Sequence, residues 1–231
     1  MRTLQFLSLT FAVVLFSACS STPKVNQSSV SQKEAEVWLQ KYCSKYRPQD
    51  SSQPEVFGDI VMRSSTKEFK GQYPASIHYE KNGSFMMEVT NILGGTMMRL
   101  TGSPQSIEIL VPSKPQFNRK GVTHYMGLEL PILAQLLRGD LPCPNEKSKP
   151  QVDHASIVLQ TSTWKWVFDR ATVEDGLIPV RVRLVAPKET ITLTIEDWNR
   201  SDVAGEQFAK KVVVQTIDGE LKWTWRSRDL K

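Results

Sequence analysis

At 231 residues the chain can form one large domain or two small ones, and 40% hydrophobic with 23% charged is ordinary globular composition. Its formal charge of +5 comes without any Lys/Arg block of the kind that marks a nucleic-acid footprint. Nucleic acid is therefore not an expected partner, whereas a mild basic surplus suits an anionic lipid surface or an acidic protein.

In chain order, Met1-Arg2 gives a short positive start, residues 4–16 an apolar core, and Ser17-Ala18 small residues ahead of Cys19. That core is shorter than the roughly 20 residues a bilayer-spanning helix needs, so residues 1–18 read as a cleaved export signal. Phe16-Ser17-Ala18-Cys19 resembles the lipobox of bacterial lipoproteins, which implies that Cys19 is lipidated and becomes the first mature residue. Phe16 departs from the aliphatic residue usual there. By the same resemblance Ser20, where Asp would favour inner-membrane retention, implies a lipid-anchored protein on the periplasmic face of the outer membrane. Residues 19–30, rich in Ser, Pro, Asn and Gln, read as a flexible tether, and 31–231 as a single domain. With Cys19 assigned to lipid, Cys43 and Cys143 remain either as a disulfide pair or as two buried small apolar residues.

Ser31 and Glu34 have capping-box spacing, and Val37, Trp38 and Tyr42 fall on one stripe, which predicts a helix over 32–45 ended by Arg47-Pro48. From Phe57 the pattern changes to period two. Strands are expected at 58–64, 72–81, 85–89, 97–100 and 106–111, separated by turn signals at Lys70-Gly71, Asn82-Gly83 and Gly102-Ser103-Pro104, as an antiparallel meander. A four-residue loop at 92–95 would set Asn91 opposite Thr96 and Glu88 opposite Arg99, with Phe85, Met87 and Val89 sharing an apolar face with Met98 and Leu100. Ile92 and Leu93 then occupy the tip, where polar residues are the norm, with Gly94 and Gly95 relieving the backbone.

Residues 112–125 read as polar loop. Pro131 suits the first turn of a short helix whose Ile132, Leu133, Leu136 and Leu137 form an apolar stripe before Gly139. Such a helix either statically covers one mouth of the sheet or acts as a movable lid. After a loop at 142–155, strands are expected at 156–160, 164–169 (Trp164, Trp166 and Phe168 on one face), 178–185 and 190–197. Residues 206–211 read as helical, and a last hairpin turns on Asp218-Gly219, matching Val212, Val214 and Thr216 with Leu221, Trp223 and Trp225. The fold class is mainly β with a few short helices.

Little chemistry has a constellation to rest on. His78, His124 and His154 lack metal-ligand spacing, so neither metal nor cofactor is expected. There is no nucleophile elbow or phosphate loop. Ser64-Ser65-Thr66-Lys67 matches Ser-x-x-Lys, but it ends a strand and has no Ser-Asp-Asn or Lys-Thr-Gly partner. The chain is thus read as a non-enzyme with no catalytic residues. What stands out is apolar: Met86, Met87, Met97 and Met98 cluster at the hairpin, as an adaptable ligand surface or an ordinary core.

Four motifs in order carry a resemblance: Val89-Thr90-Asn91-Ile92-Leu93-Gly94-Gly95-Thr96; Gly127-Leu128-Glu129-Leu130-Pro131 with Leu136-Leu137-Arg138-Gly139-Asp140-Leu141-Pro142; then residues 164–170 and 191–198. Over about 57–198 the chain resembles the LolB family of outer-membrane lipoprotein receptors, within the LolA/LolB superfamily. The resemblance implies an open, strongly curved antiparallel β-barrel with short helices covering its mouth. Its apolar cavity would take lipoprotein acyl chains from a periplasmic carrier of the LolA type and release them into outer-membrane lipid. A monomer is expected. In that family a leucine on a protruding loop helps membrane insertion, and the matching position is Leu93, with Ile92, Gly94 and Gly95 completing the loop. Ile92 replaces the Pro frequent in the family, which makes the loop more apolar and less rigid. By the hairpin register, Phe85, Met87, Val89, Met98 and Leu100 would line the cavity, joined by Trp164, Trp166 and Phe168. Beyond Trp198 an extra hairpin at about 201–231 would partly close the barrel. The alternatives are a carrier or sensor of another lipid on this fold, a structural envelope lipoprotein with a filled barrel, and a cryptic enzyme using Ser64 and Lys67.

Overall fold

In the computed structural model the described residues are 31–46, 54–66, 69–144, 148–154, 156–173, 176–200 and 207–231. Cys19, the tether, Arg47-Pro48 and Lys67 lie outside them. Helix α1 spans Gln32–Tyr46 and is followed by β1 (Val56–Ser65), β2 (Lys70–Tyr79), β3 (Phe85–Thr90), β4 (Thr96–Gly102), β5 (Ile107–Leu110), β6 (Arg119–Val122), β7 (His124–Tyr125) and β8 (Leu128–Glu129). Helix α2 (Leu130–Arg138) precedes β9 (Gln151–Asp153), β10 (Ser156–Gln160), β11 (Lys165–Val173), β12 (Gly176–Ala186), β13 (Glu189–Arg200), β14 (Gln207–Thr216) and β15 (Gly219–Leu230).

Period-two alternation gives most strands one apolar face, and burying that face dictates the architecture. Thirteen strands form one antiparallel sheet in the order β6-β5-β4-β3-β2-β1-β15-β14-β13-β12-β11-β10-β9, and β7 and β8 pair separately. The sheet is curved and open, because its terminal strands β6 and β9 do not pair with each other. Its apolar face gathers Ile60, Met87, Leu100, Phe168, Leu193 and Trp223 into one buried cluster that includes residues of both helices.

The C-terminal hairpin is the seam of this sheet. β15 pairs with β1 through Ile60↔Trp225 and Met62↔Trp223, and with β14 through Val212↔Trp223 and Val214↔Leu221. It therefore joins the two halves of the fold, a more central place than an extension past the barrel suggests. Residues 207–211, expected to be helical, begin β14 instead. There Phe208, Ala209, Val212 and Val214 are buried, and pairing with β13 and β15 overrides local helix preference.

Other departures fall on polar stretches. The 112–125 segment holds a 3-10 turn (Pro115–Phe117), β6 and β7, and the 142–155 segment holds β9. β6 and β9 are short edge strands, where polar residues discourage further pairing and hide the strand signal. Lys70 and Gly71 belong to β2, and the connection before them runs through Thr66, whose hydroxyl accepts from the Phe69 amide at 3.2 Å.

Helix α1 starts on the expected capping box: the Ser31 amide donates to the Glu34 carboxylate at 2.8 Å and the Glu34 amide to Ser31 Oγ at 3.3 Å. Trp38 stacks on Tyr42 at 5.0 Å, and both meet Phe168 edge-on at 5.8 and 5.7 Å. Val37 leaves the expected stripe and is exposed. In α2, Pro131 lies in the first turn and Gly139 caps the C-terminus at φ 88°, a conformation costly for any residue with a Cβ. A Cys43–Cys143 disulfide, with Cα atoms 5.6 Å apart, fastens α1 to the segment after α2. The C-terminal end of α2 is held further where the Ala209 amide donates to Gly139 O at 3.1 Å and Arg228 Nε to Arg138 O at 3.1 Å.

Candidate functional site

The β3–β4 hairpin keeps the expected register along its strands: Phe85↔Gly102, Met87↔Leu100, Glu88↔Arg99 and Val89↔Met98. Near the tip it departs. The register shifts after Val89, so that Thr90 pairs with Thr96, Met97 becomes an extra residue in β4, and residues 91–95 form the loop. A five-residue loop with a bulge replaces the four-residue loop because the Asn91 side chain organises the turn. Asn91 Oδ1 accepts from the amides of Leu93 and Gly95, both at 2.9 Å, and the Gly94 amide donates to Asn91 O at 3.0 Å. Asn91 thereby supplies the order that a proline would otherwise give. Ile92 and Leu93 stand 94% and 89% exposed.

At the neck of this loop, on the outer face, Glu88 accepts from Thr96 Oγ1 at 2.7 Å and from Arg99 Nη2 at 2.8 Å. These hydrogen bonds, Thr96 first, hold the Glu88 carboxyl below its ordinary value. On the inner face Phe85, Met87, Val89, Met98 and Leu100 are buried in the common core. Tyr79 stacks on Phe85 with ring centroids 6.2 Å apart, and Tyr125 Oη donates to Met98 Sδ at 3.7 Å.

Helix α2 closes this interior with Ile132, Leu133, Leu136 and Leu137, all buried. Beside its N-terminal end lies a cleft of about 200 Å³ bordered by Pro131, Ile132, Gln135, Trp164, Trp166 and Cys143, among others. The structure thus brings Trp164 and Trp166 together with the helix, whereas Phe168 packs beneath Trp38 and Tyr42. Two polar contacts shape the cleft that the sequence did not single out. Trp164 Nε1 donates to Glu129 Oε1 at 2.9 Å, and Gln135 Oε1 accepts from the Cys143 amide at 3.1 Å. Glu129 precedes a helix-starting proline, which hints at a boundary but not at a tryptophan partner 35 residues away. Ser64 is buried and its hydroxyl donates to Phe69 O at 2.6 Å, so the Ser-x-x-Lys stretch is tied into a turn.

This hairpin, α2 and the cleft strands all fall within residues 55–198, which match the family model described as Outer membrane lipoprotein LolB. The chain belongs to the LolB family. A LolB from Ectopseudomonas mendocina (strain ymp) is 27% identical over 128 residues, spanning 52% of this chain and 62% of that protein, which is less than two thirds of its length. A LolB from Pseudomonas paraeruginosa (strain DSM 24068 / PA7) is 24% identical over 207 residues, covering 86% of this chain and 97% of the relative. A Vibrio parahaemolyticus domain named for outer membrane lipoprotein sorting has the same fold, with a TM-score of 0.56 over 87% of this chain and 94% of that one, at 9% identity. The LolB match stops inside β13, so β14 and the seam strand β15 lie beyond it.

Proposed function

We propose that this LolB-family chain is an outer-membrane lipoprotein, anchored on the periplasmic face through Cys19. It accepts lipoprotein acyl chains from a LolA-type periplasmic carrier and passes them into the outer membrane. The observation that carries the reading is the exposed Ile92-Leu93 tip, held out by Asn91 from a hairpin whose inner face is wholly apolar. The transfer is non-covalent, moving acyl chains from one apolar environment to the next without exposing them to water.

Magnitudes separate the roles. An acyl chain contributes roughly 0.8 kcal/mol per buried CH₂, so the interior under α2 and the lipid on Cys19 carry most of the binding. Burying one leucine is worth about 1.5–3 kcal/mol, enough to guide the protein onto the bilayer but not to anchor it. The cleft of about 200 Å³ is smaller than the roughly 300–1,000 Å³ of ligand pockets in general, and a shift of α2, which borders it, would enlarge it for uptake. Leu93→Glu tests the reading. Because Leu93 is 89% exposed, stability should change by less than about 0.5 kcal/mol. Transfer of a lipoprotein from the carrier to vesicles should fall about tenfold or more, while uptake from the carrier persists. Unchanged transfer would remove the loop from the mechanism.

A second reading, a structural envelope lipoprotein with a filled barrel, draws support from the near-complete burial of Phe85, Met87, Val89, Met98 and Leu100. A photo-crosslinker at Ile132 that captures acylated lipoprotein would exclude it.

A further inference from the structure

Antiparallel pairing places the connections between strands alternately at two ends of the sheet. Ser64 pairs with both Gly71 and Leu221, and Thr192 with Gln215. One end therefore carries the 91–95 loop, the β10–β11 turn at the cleft, the β12–β13 turn at Pro187-Lys188 and the β14–β15 turn at Ile217-Asp218. The three most exposed large apolar side chains of the described residues, Ile92 at 94%, Leu93 at 89% and Ile217 at 82%, all sit at this end. At the opposite end, the described connections at 80–84 and 103–106 contain no large apolar residue.

Nothing in the fold asks for Ile217. The turn is set by Thr216 Oγ1, which accepts from the Asp218 amide at 3.1 Å, and by Gly219 at φ 134°. Asn, Asp or Gly is the usual occupant of so short a hairpin tip. Exposed Lys70, Lys114, Lys165 and Lys188 flank the apolar tips at the same end, with Asp218 the acidic neighbour of Ile217. The β3–β4 and β14–β15 tips are four strand spacings apart along the sheet, about 19 Å.

We infer that Ile217 is a second lipid-contacting tip, so that this end of the sheet meets the bilayer at two separated points. The inference rests on the membrane-facing reading of the Ile92-Leu93 loop. A bilayer fits the pattern better than a protein partner does. The adjacent pair Ile92-Leu93 and the lone Ile217, on tips four strand spacings apart along the sheet and interspersed with lysines, fall short of the roughly 800 Å² that a stable protein interface covers on each partner. Anionic headgroups complement the lysines, and two insertion points on one rigid sheet reinforce each other without needing to touch.

The test uses the full lipidated chain, with the Cys43–Cys143 disulfide intact, in vesicles of phosphatidylethanolamine and phosphatidylglycerol. A single environment-sensitive NBD label is placed at Ile217→Cys, Leu93→Cys or, at the opposite end, Asn82→Cys. Blue-shifted emission and quenching by lipid-borne quenchers are expected at 217 and 93, with water-like emission at 82. A water-like label at 217 beside a shifted label at 93 overturns the second tip and leaves the loop reading standing. Water-like labels at both positions overturn both. Ile217→Asp supplies an independent readout: transfer into vesicles should fall several-fold with an unchanged urea midpoint, and unaltered transfer counts against the proposal.

Discussion

Replacing both Cys43 and Cys143 by alanine probes what the disulfide contributes to the chain. Both residues are nearly fully buried, so alanine removes the bond without adding a polar group to the core. The bond encloses a sequence separation of 100 residues, which in the chain-entropy treatment restricts the unfolded ensemble by about 4.7 kcal/mol at 25 °C. Against a total stability of about 5–15 kcal/mol, that is a large fraction. With a urea m-value of about 2–3 kcal/mol/M, the midpoint should fall by about 2 M at constant m. Tryptophan emission reports the transition directly, since Trp164, Trp166, Trp223 and Trp225 are buried in the fold. Reduced wild-type protein should unfold close to the double variant. A shift below about 0.5 M would refute the reasoning, because the enclosed half-sheet and α2 would then be restrained equally well without the bond.

Lowering pH should destabilise the protein through its depressed carboxyls. Burial pushes Asp169 up, but hydrogen bonds from Ser156 and Arg181 and the charges of Arg181 and Arg183 outweigh it and hold the group below its ordinary 3.8. Glu196 is held below 4.5 by hydrogen bonds from Lys211 and then Lys222. A depressed carboxyl adds stability that is complete above its unfolded value and is lost as pH falls through its folded value, so the melting temperature should drop progressively below about pH 4. Asp169→Asn should flatten that dependence, and an unaltered slope would discount the Asp169 cluster. Arg228→Met should lower stability by about 2–3 kcal/mol. The guanidinium, only 2% exposed, loses its bond to Arg138 O and its contact with Asp140 at 3.9 Å, while Asp140 keeps Arg138 at 3.4 Å. Hydrogen exchange should quicken in the last turn of α2, and unchanged protection there would show that Arg228 does not hold the helix.

What could be read from the sequence was local and doubly signalled. The β3–β4 register was legible because one choice of pairing satisfied both the apolar face of Phe85, Met87 and Val89 and the Glu88–Arg99 pair. Pro131 and Gly139 marked the ends of α2 because each residue fits a backbone geometry that others tolerate poorly. The bulge at Met97 was hidden, since the fifth loop residue depends on the Asn91 side chain accepting hydrogen bonds from the Leu93 and Gly95 amides. Edge strands β6 and β9 were hidden because they lack an alternating pattern. The place of β15 was hidden for a different reason. Alternation tells which face of Trp223 and Trp225 is buried, but it does not tell that their neighbour is β1, at the other end of the chain.

That distant pairing bears on how the interior can open. β14 and β15 supply Ala209 and Arg228 to the C-terminal end of α2, and the Cys43–Cys143 bond fixes the segment that follows it. The N-terminal end is tied by the Leu130 amide donating to Thr123 O at 2.9 Å and, one residue earlier, by Trp164 donating to Glu129 at 2.9 Å. A typical hydrogen bond contributes about 1 kcal/mol net and one to a charged group about 1.5–3, whereas the opposite end holds a buried guanidinium that bonds the Arg138 carbonyl and lies near Asp140, a group costlier to unpair. Displacement of the helix is therefore least opposed at Glu129 and Pro131, the end that borders the cleft. Trp164 and the β10–β11 turn belong to the end of the sheet that presents Ile92, Leu93 and Ile217, so under the proposed function an interior widened there would open on the side where the apolar tips project.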